Sequence, residues 1–161
     1  MTVAAYLNGL PADAARTALA RCCASTQWVK RMLAGRPFGS DQQVYQAAER
    51  EWWALDRDDW LEAFAAHPRI GERSADAWSS GEQRGVTGAG ADLRLALLEE
   101  NGTYERRFGH VYLVCATGRA GPELLADLRT RLANDPAREL RVAAGEQAKI
   151  TRLRLEKLVT P

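Results

Sequence analysis

Hydrophobic and polar positions along the chain alternate with a mostly helical period, broken at proline, glycine and capping residues. Pro11 suits the first position of a helix, and Ala15, Ala18, Leu19 and Cys22 follow at helical spacing, predicting a helix over 12–24. Ser25 suits the cap of a short helix carrying Trp28, Val29, Met32 and Leu33, ended by Gly35 and Pro37. Ser40 or Asp41 starts the next, with Val44, Tyr45, Ala48, Trp52 and Leu55. Asp56 or Asp58 caps a run over 60–66 that stops at His67-Pro68, because a residue before proline is pushed out of the α region. Residues 73–91 are the least regular, with Gly81, Gly85, Gly88 and Gly90, although Ser79 followed by Glu82 forms a capping-box pattern for a short helix over 79–86. A long helix over 91–108 carries Leu93, Leu95, Leu97 and Leu98, with Asn101-Gly102 inside it. Gly121-Pro122 opens a helix to residue 133, and Asp135-Pro136 restarts the chain for a last helix to 159 with Leu140, Val142, Ile150, Leu153 and Leu158.

Residues 111–116 depart from this pattern. Six apolar residues in a row between Gly109-His110 and Gly118 read as a buried extended segment or a short strand. With no second strand in the chain, its backbone groups need partners from helix ends or a bound ligand. The expectation is an all-α fold, a single compact multi-helix domain over 1–161 with one short buried extended segment near 111–116.

Composition narrows the function classes. A hydrophobic content of 46% and a charged content of 27% in 161 residues describe an ordinary globule. Twenty-two basic against 21 acidic residues leave a net charge of +1, so there is no electrostatic case for nucleic acid or an anionic membrane. The lysines are Lys30, Lys149 and Lys157, which leaves little for Schiff-base chemistry. Cys22 and Cys23 are adjacent, Cys115 lies in the apolar run, and no CxxC pair occurs, which predicts three buried structural thiols in a reducing compartment. There is no signal-peptide pattern, no apolar stretch near the ~18 residues that span a bilayer, and no peroxisomal tripeptide, so the cytoplasm is expected.

The candidate chemistry centres on His67-Pro68-Arg69-Ile70-Gly71-Glu72. Histidine exchanges protons near neutral pH, and a forced change of chain direction beside it suits a site; it equally suits a helix C-terminal cap. His67 and Glu72 are separated by a proline turn and do not share a helix face as in HExxH, and His110 is the only other histidine, so no metal is expected. No GxSxG elbow points to a serine nucleophile. Acid–base chemistry fits better. Ser79 and Glu82 or Gln83 face the same way on one helical turn, and a carboxylate near an imidazole fixes its tautomer. By themselves Ser79 is also a cap and Glu82 an ordinary first-turn carboxylate. Arg152 and Arg154 flank Leu153 near the C-terminus; either can turn its fork toward a carboxylate or ureido oxygen, or lie on a solvated face.

Taken in order, these residues resemble the 2-oxo-4-hydroxy-4-carboxy-5-ureidoimidazoline (OHCU) decarboxylase family. The resemblance is carried by residues 67–72, by Ser79-x-x-Glu82-Gln83, and by Arg107-Phe108-Gly109 leading into 111–115. Cys22-Cys23-Ala24-Ser25 with Trp28, Arg36-Pro37-Phe38, Asn101-Gly102-x-Tyr104, Gly118-Arg119, Arg131-Leu132-x-Asn134-Asp135 and residues 150–155 extend it over residues 6 to 159. It implies an all-helical homodimer without a cofactor, acting on a small ureidoimidazoline in the last step from urate to (S)-allantoin. It also implies that His67 is the catalytic histidine and Glu82 the carboxylate working with it. Ser79, Gln83 and Arg154 match substrate-binding positions, with Ser80 and Arg152 as the alternatives beside them. Pro68 matches a residue shaping the pocket, and Val114, Cys115 and Ala116 match a segment whose backbone contacts substrate. Two other readings keep the same residues: a helical binding module without activity, and a hydrolase or lyase for another ureido or purine-derived ring.

Overall fold

Each predicted helix is present, several with shifted ends, and one more precedes them. The computed structural model describes residues 1–71, 77–84 and 90–161, without the side chains of 77, 79 and 80. The helices are α1 (Val3–Gly9), α2 (Ala12–Cys22), α3 (Thr26–Ala34), α4 (Asp41–Trp53), α5 (Arg57–Ala65), α6 (Ala77–Glu82), α7 (Ala91–Phe108), α8 (Gly121–Arg131) and α9 (Pro136–Lys157). The all-α expectation holds: no strand occurs among the described residues. No helix among them is long and apolar enough to cross a membrane. The chain gathers into two compact units, Met1–Ala63 with Ala148–Pro161, and Phe64–Gln147.

In the first unit, α1 is the helix that periodicity did not predict. Thr2 caps it by accepting from the Ala5 N–H, and Val3, Ala4 and Leu7 form its buried stripe. Asp41 Oδ1 then accepts from Ala4 N at 2.8 Å, tying α1 to the start of α4. Ser25 and Ser40 cap α3 and α4 as expected, accepting from Trp28 N and Gln43 N. Because Ser25 must be extended to cap α3, α2 ends at Cys22 rather than 24, with Cys23 at φ −152° and ψ 120°. The buried indoles of Trp28 and Trp60 donate to the carbonyls of Ala48 and Trp52 at 3.1 and 3.0 Å, so neither N–H is left unpaired.

Cys22 and Cys23 are fully buried, and burial pushes both thiols up to about 12. Cys115 differs from expectation in being half-buried. At pH 8 a thiol of that pKa is ionised to only ~10⁻⁴. In the native protein Cys22 and Cys23 should therefore resist DTNB at pH 8 and react in full once guanidinium unfolds the chain. Rapid native-state reaction at either position, mapped by mass spectrometry, would contradict this.

In the second unit, α7 packs on α8 around a core that includes Ile70, Leu97, Tyr104, Phe108, Tyr112, Val114, Leu124 and Leu128. Asn101-Gly102 does not break α7: Asn101 Nδ2 donates to the carbonyl of Leu97 one turn back in the helix at 2.7 Å and to that of Ile70 across the core at 3.2 Å. Gly109 ends α7 at φ 79°, the left-handed conformation that a side chain disfavours, and its N–H returns to Glu105 O. Asp135 caps α9 by accepting from Arg138 N at 3.0 Å.

Residues 111–116 leave α7 as a largely buried segment without a ladder, so the expected backbone-pairing problem is real. Two of the segment's backbone groups are met by charged side chains. Arg131 Nη1 donates to Leu113 O at 2.7 Å, and Glu146 Oε1 accepts from Cys115 N at 3.2 Å. Arg131 is itself held by Glu139, which is fully buried: Nε donates to both carboxylate oxygens at 3.1 and 2.9 Å, and Nη2 lies 2.7 Å from Oε2. Tyr104 Oη and Asn134 Nδ2 also donate to Glu139, and Tyr112 Oη donates to Asp127. Burial works against the Arg131 charge, and the Glu139 bonds override it, so its pKa is raised. Burial and the carboxylate acceptors keep both tyrosines protonated, with pKa values raised well above the usual range.

Candidate active site

Helix α5 is capped by Asp56, whose Oδ1 accepts from Asp59 N at 3.1 Å, and ends at Ala65. His67 N–H makes a tight closing bond to Phe64 O at 3.1 Å, and Pro68 prevents further helix. The chain then turns, and each residue of the turn is fastened separately. Arg69 forms a two-pronged bond to Glu105 of α7, Nε to Oε1 at 2.7 Å and Nη2 to Oε2 at 3.1 Å. Ile70 is buried in the core, and its carbonyl accepts from Asn101. Gly71, at φ 90°, donates its N–H to Gln83 Oε1 at 2.9 Å. Glu72 lies outside the described residues.

The half-buried His67 ring carries the central contact of the site: its Nε2 lies 2.7 Å from Gln147 Oε1 on α9. The residue before it, Glu146, is the one that binds Cys115 N. One turn of α9 thus touches both the histidine and the 114–116 segment. Val114 and Ala116 are buried and Cys115 is half-buried, so the segment runs along the core with its backbone as the polar element.

Glu82 is buried at the C-terminal end of α6, next to Gln83. Gln83 is also buried, with Oε1 on Gly71 N and Nε2 toward Arg69 O at 3.5 Å, so it secures the turn that follows His67. Ser79 is the third residue of α6 rather than its cap: the helix starts two residues earlier than the capping-box pattern predicts, and a residue in helical conformation cannot be the N-cap. The side chains of Ser79 and Ser80 lie outside the described residues, as do Val86 and the glycines at 85 and 88. Arg154 belongs to the first unit, where it is buried with Nη1 donating to Arg21 O at 3.1 Å. Arg152 is the solvated one of the pair, bonded to Glu156 at 2.8 Å and stacked on Tyr45. A cleft of about 650 Å³ is walled by Leu95 and Leu98 and lined by Arg69, Ile70 and Gly71 of the turn, but among the described residues not by His67, Glu82, Gln83 or Arg154. Among the described residues no group of three or more His, Cys, Asp or Glu side chains is placed to hold a metal ion.

A family profile described as OHCU decarboxylase matches residues 8–156. The chain belongs to the OHCU decarboxylase family. A crystal structure of OHCU decarboxylase in the presence of (S)-allantoin has the same fold, with a TM-score of 0.80 at 36% identity over 88% of this chain and 96% of that one. The uric acid degradation bifunctional protein TTL of Arabidopsis thaliana is 37% identical over 147 residues, 85% of this chain and 45% of that protein. The 2-oxo-4-hydroxy-4-carboxy-5-ureidoimidazoline decarboxylase of Mus musculus is 35% identical over 113 residues, 66% of this chain. The chain spans 45% of the Arabidopsis relative's length and 64% of the mouse relative's.

Within this family member, Gln147 and Glu146 are the residues that sequence reasoning missed. A signal for them exists. Glu139, Ala143, Glu146 and Gln147 recur at helical spacing with Ile150 and are all buried, while of the apolar residues from which the helix was read, Ile150 shares that face and Leu140 and Val142 are only half-buried.

Proposed function

We propose that this chain decarboxylates OHCU to (S)-allantoin, with His67 moving the proton. The observation that carries the reading is the single turn of α9 on which Gln147 engages the His67 ring and Glu146 holds the backbone of 114–116. A proton-transfer group and a backbone recognition segment are thereby fastened to the same rigid element. The solved relative in the presence of (S)-allantoin supports the choice of product.

The substrate holds a carboxylate and a hydroxyl on ring C4, next to a C5=N bond whose carbon bears the ureido group. When the C4–carboxylate bond breaks, its electron pair moves between C4 and C5 and the C=N pair moves onto nitrogen. That nitrogen takes up a proton, the hydroxyl proton leaves as C4=O forms, and C5 gains a proton on one face. The substrate is its own electron sink, and no electrons are gained or lost overall. The protein has to move protons and hold one face of the ring. His67 does the first with Glu82 beside it in the proposed site, a contribution of roughly 10²–10⁴-fold. Ser79, Gln83, Arg154, Pro68 and the backbone of Val114, Cys115 and Ala116 do the second by positioning the ring. An arginine gripping the departing carboxylate would oppose CO2 release, so Arg154 is assigned to a carbonyl or ureido oxygen. The same reading takes residues 1–161 as one decarboxylase domain, working as a cytoplasmic homodimer.

The test is to generate OHCU in situ with hydroxyisourate hydrolase and follow circular dichroism. Optically active (S)-allantoin should appear faster than spontaneous racemic decay. A trace indistinguishable from that decay rules the activity out.

A further inference from the structure

Gln147 is a fully buried amide on the face of α9 that also buries Ala143, Ala144 and Ile150. An apolar side chain of similar volume would pack there without desolvating an amide, and an unpaired buried amide costs ~1–3 kcal/mol. The 2.7 Å bond to His67 Nε2 is part of what compensates. In this bond the Gln147 oxygen faces the ring, and a carbonyl oxygen can only accept. The ring nitrogen must therefore be the donor, and Nε2 carries the hydrogen. In the neutral imidazole the lone pair is then on Nδ1.

We infer that Gln147 is a positioning residue that sets the His67 tautomer, holding it as Nε2–H so that Nδ1 is the nitrogen that exchanges protons with the substrate. This deepens the decarboxylase reading and rests on it. It also divides the labour around the ring. A carboxylate partner alone would fix orientation while favouring the charged ring; a neutral amide fixes orientation and tautomer without adding charge. The backbone supports the same geometry. His67 N–H is bonded to Phe64 O, and the turn is pinned at Arg69, Ile70 and Gly71, so the ring pivots on a fixed Cα.

The test uses the whole chain labelled with ¹⁵N-histidine. His67 and His110 are the two histidines, and a His110→Gln variant assigns their signals in long-range ¹H–¹⁵N spectra. Above the pH of ring titration, wild-type His67 should show Nε2 protonated and Nδ1 as the unprotonated nitrogen. Gln147→Leu should lose that preference and lower kcat by about tenfold or more, with KM changed by less than about threefold, since proton transfer rather than binding is impaired. Gln147→Glu, whose carboxylate also only accepts, should restore the Nε2–H form and recover kcat relative to Gln147→Leu. A wild-type His67 found as Nδ1–H overturns the inference without any variant. So does an unchanged tautomer, or unchanged kcat, in a folded Gln147→Leu protein. The spectra do not depend on turnover, so an inactive wild type would defeat the decarboxylase reading while leaving the tautomer measurement intact.

Discussion

Replacing His67 with asparagine should lower formation of (S)-allantoin by about 10²–10⁴-fold while the chain remains helical. Asparagine keeps a polar side chain at the turn but has no nitrogen that titrates near neutral pH. The backbone features of the turn do not depend on the imidazole: the N–H bond to Phe64 O, the proline stop and the three fastenings at Arg69, Ile70 and Gly71 all remain. Losing the bond between the ring and Gln147 should cost about 1–3 kcal/mol of stability. Far-ultraviolet dichroism should therefore match wild type, and the melting temperature should fall without loss of cooperativity. Near-wild-type turnover in His67→Asn would refute the role of the ring.

The largest expected effect on stability lies at Glu139. This carboxylate is fully buried and accepts from Arg131, Tyr104 and Asn134. Glu139→Ala would strand a buried guanidinium whose other carboxylate contact, Asp127 Oδ2, is at 3.4 Å. Breaking a buried pair from one side costs about 3–5 kcal/mol. For a chain of this size that is roughly 6–20 °C in melting temperature. Replacing both partners, as Arg131→Met with Glu139→Leu, should cost less than Glu139→Ala alone, because no uncompensated charge is left behind. Calorimetry on the two proteins decides it; a loss below about 1 kcal/mol for the single variant would show that the ion pair is not holding the core.

Much of the fold was legible because helix ends announce themselves in short polar residues. Ser25, Ser40, Asp56 and Asp135 each cap the helix assigned to them, and Gly109 and Pro68 end theirs. The first helix was missed because it is only seven residues long and its cap, Thr2, stands at the second position of the chain. Ser79 misled because a capping-box spacing recurs by composition in a stretch rich in serine and glycine, and the helix begins at Ala77. His67 was conspicuous as a titratable ring at a forced break. Its partner on α9 was not, since hydrophobicity singles out Leu140 and Val142 whereas the buried face is built from Glu139, Ala143, Glu146 and Gln147. A helix that buries polar groups for a site reads as amphipathic in the wrong direction. Partners for residues 111–116 were anticipated as helix ends or ligand; Leu113 O and Cys115 N are met by side chains of Arg131 and Glu146, a solution that no local pattern encodes.

That solution separates the path of the segment from its spelling. Leu113 is gripped by its carbonyl and Cys115 by its amide, groups that the residue type at either position scarcely alters; at 115 proline alone would remove the donor. A change of side chain at 115 leaves that amide bond in place, whereas a change at 131 or 146 removes the group that holds the backbone. The instructions for that part of its course are thus written 18 and 31 residues downstream, on helices the segment has yet to meet in the chain.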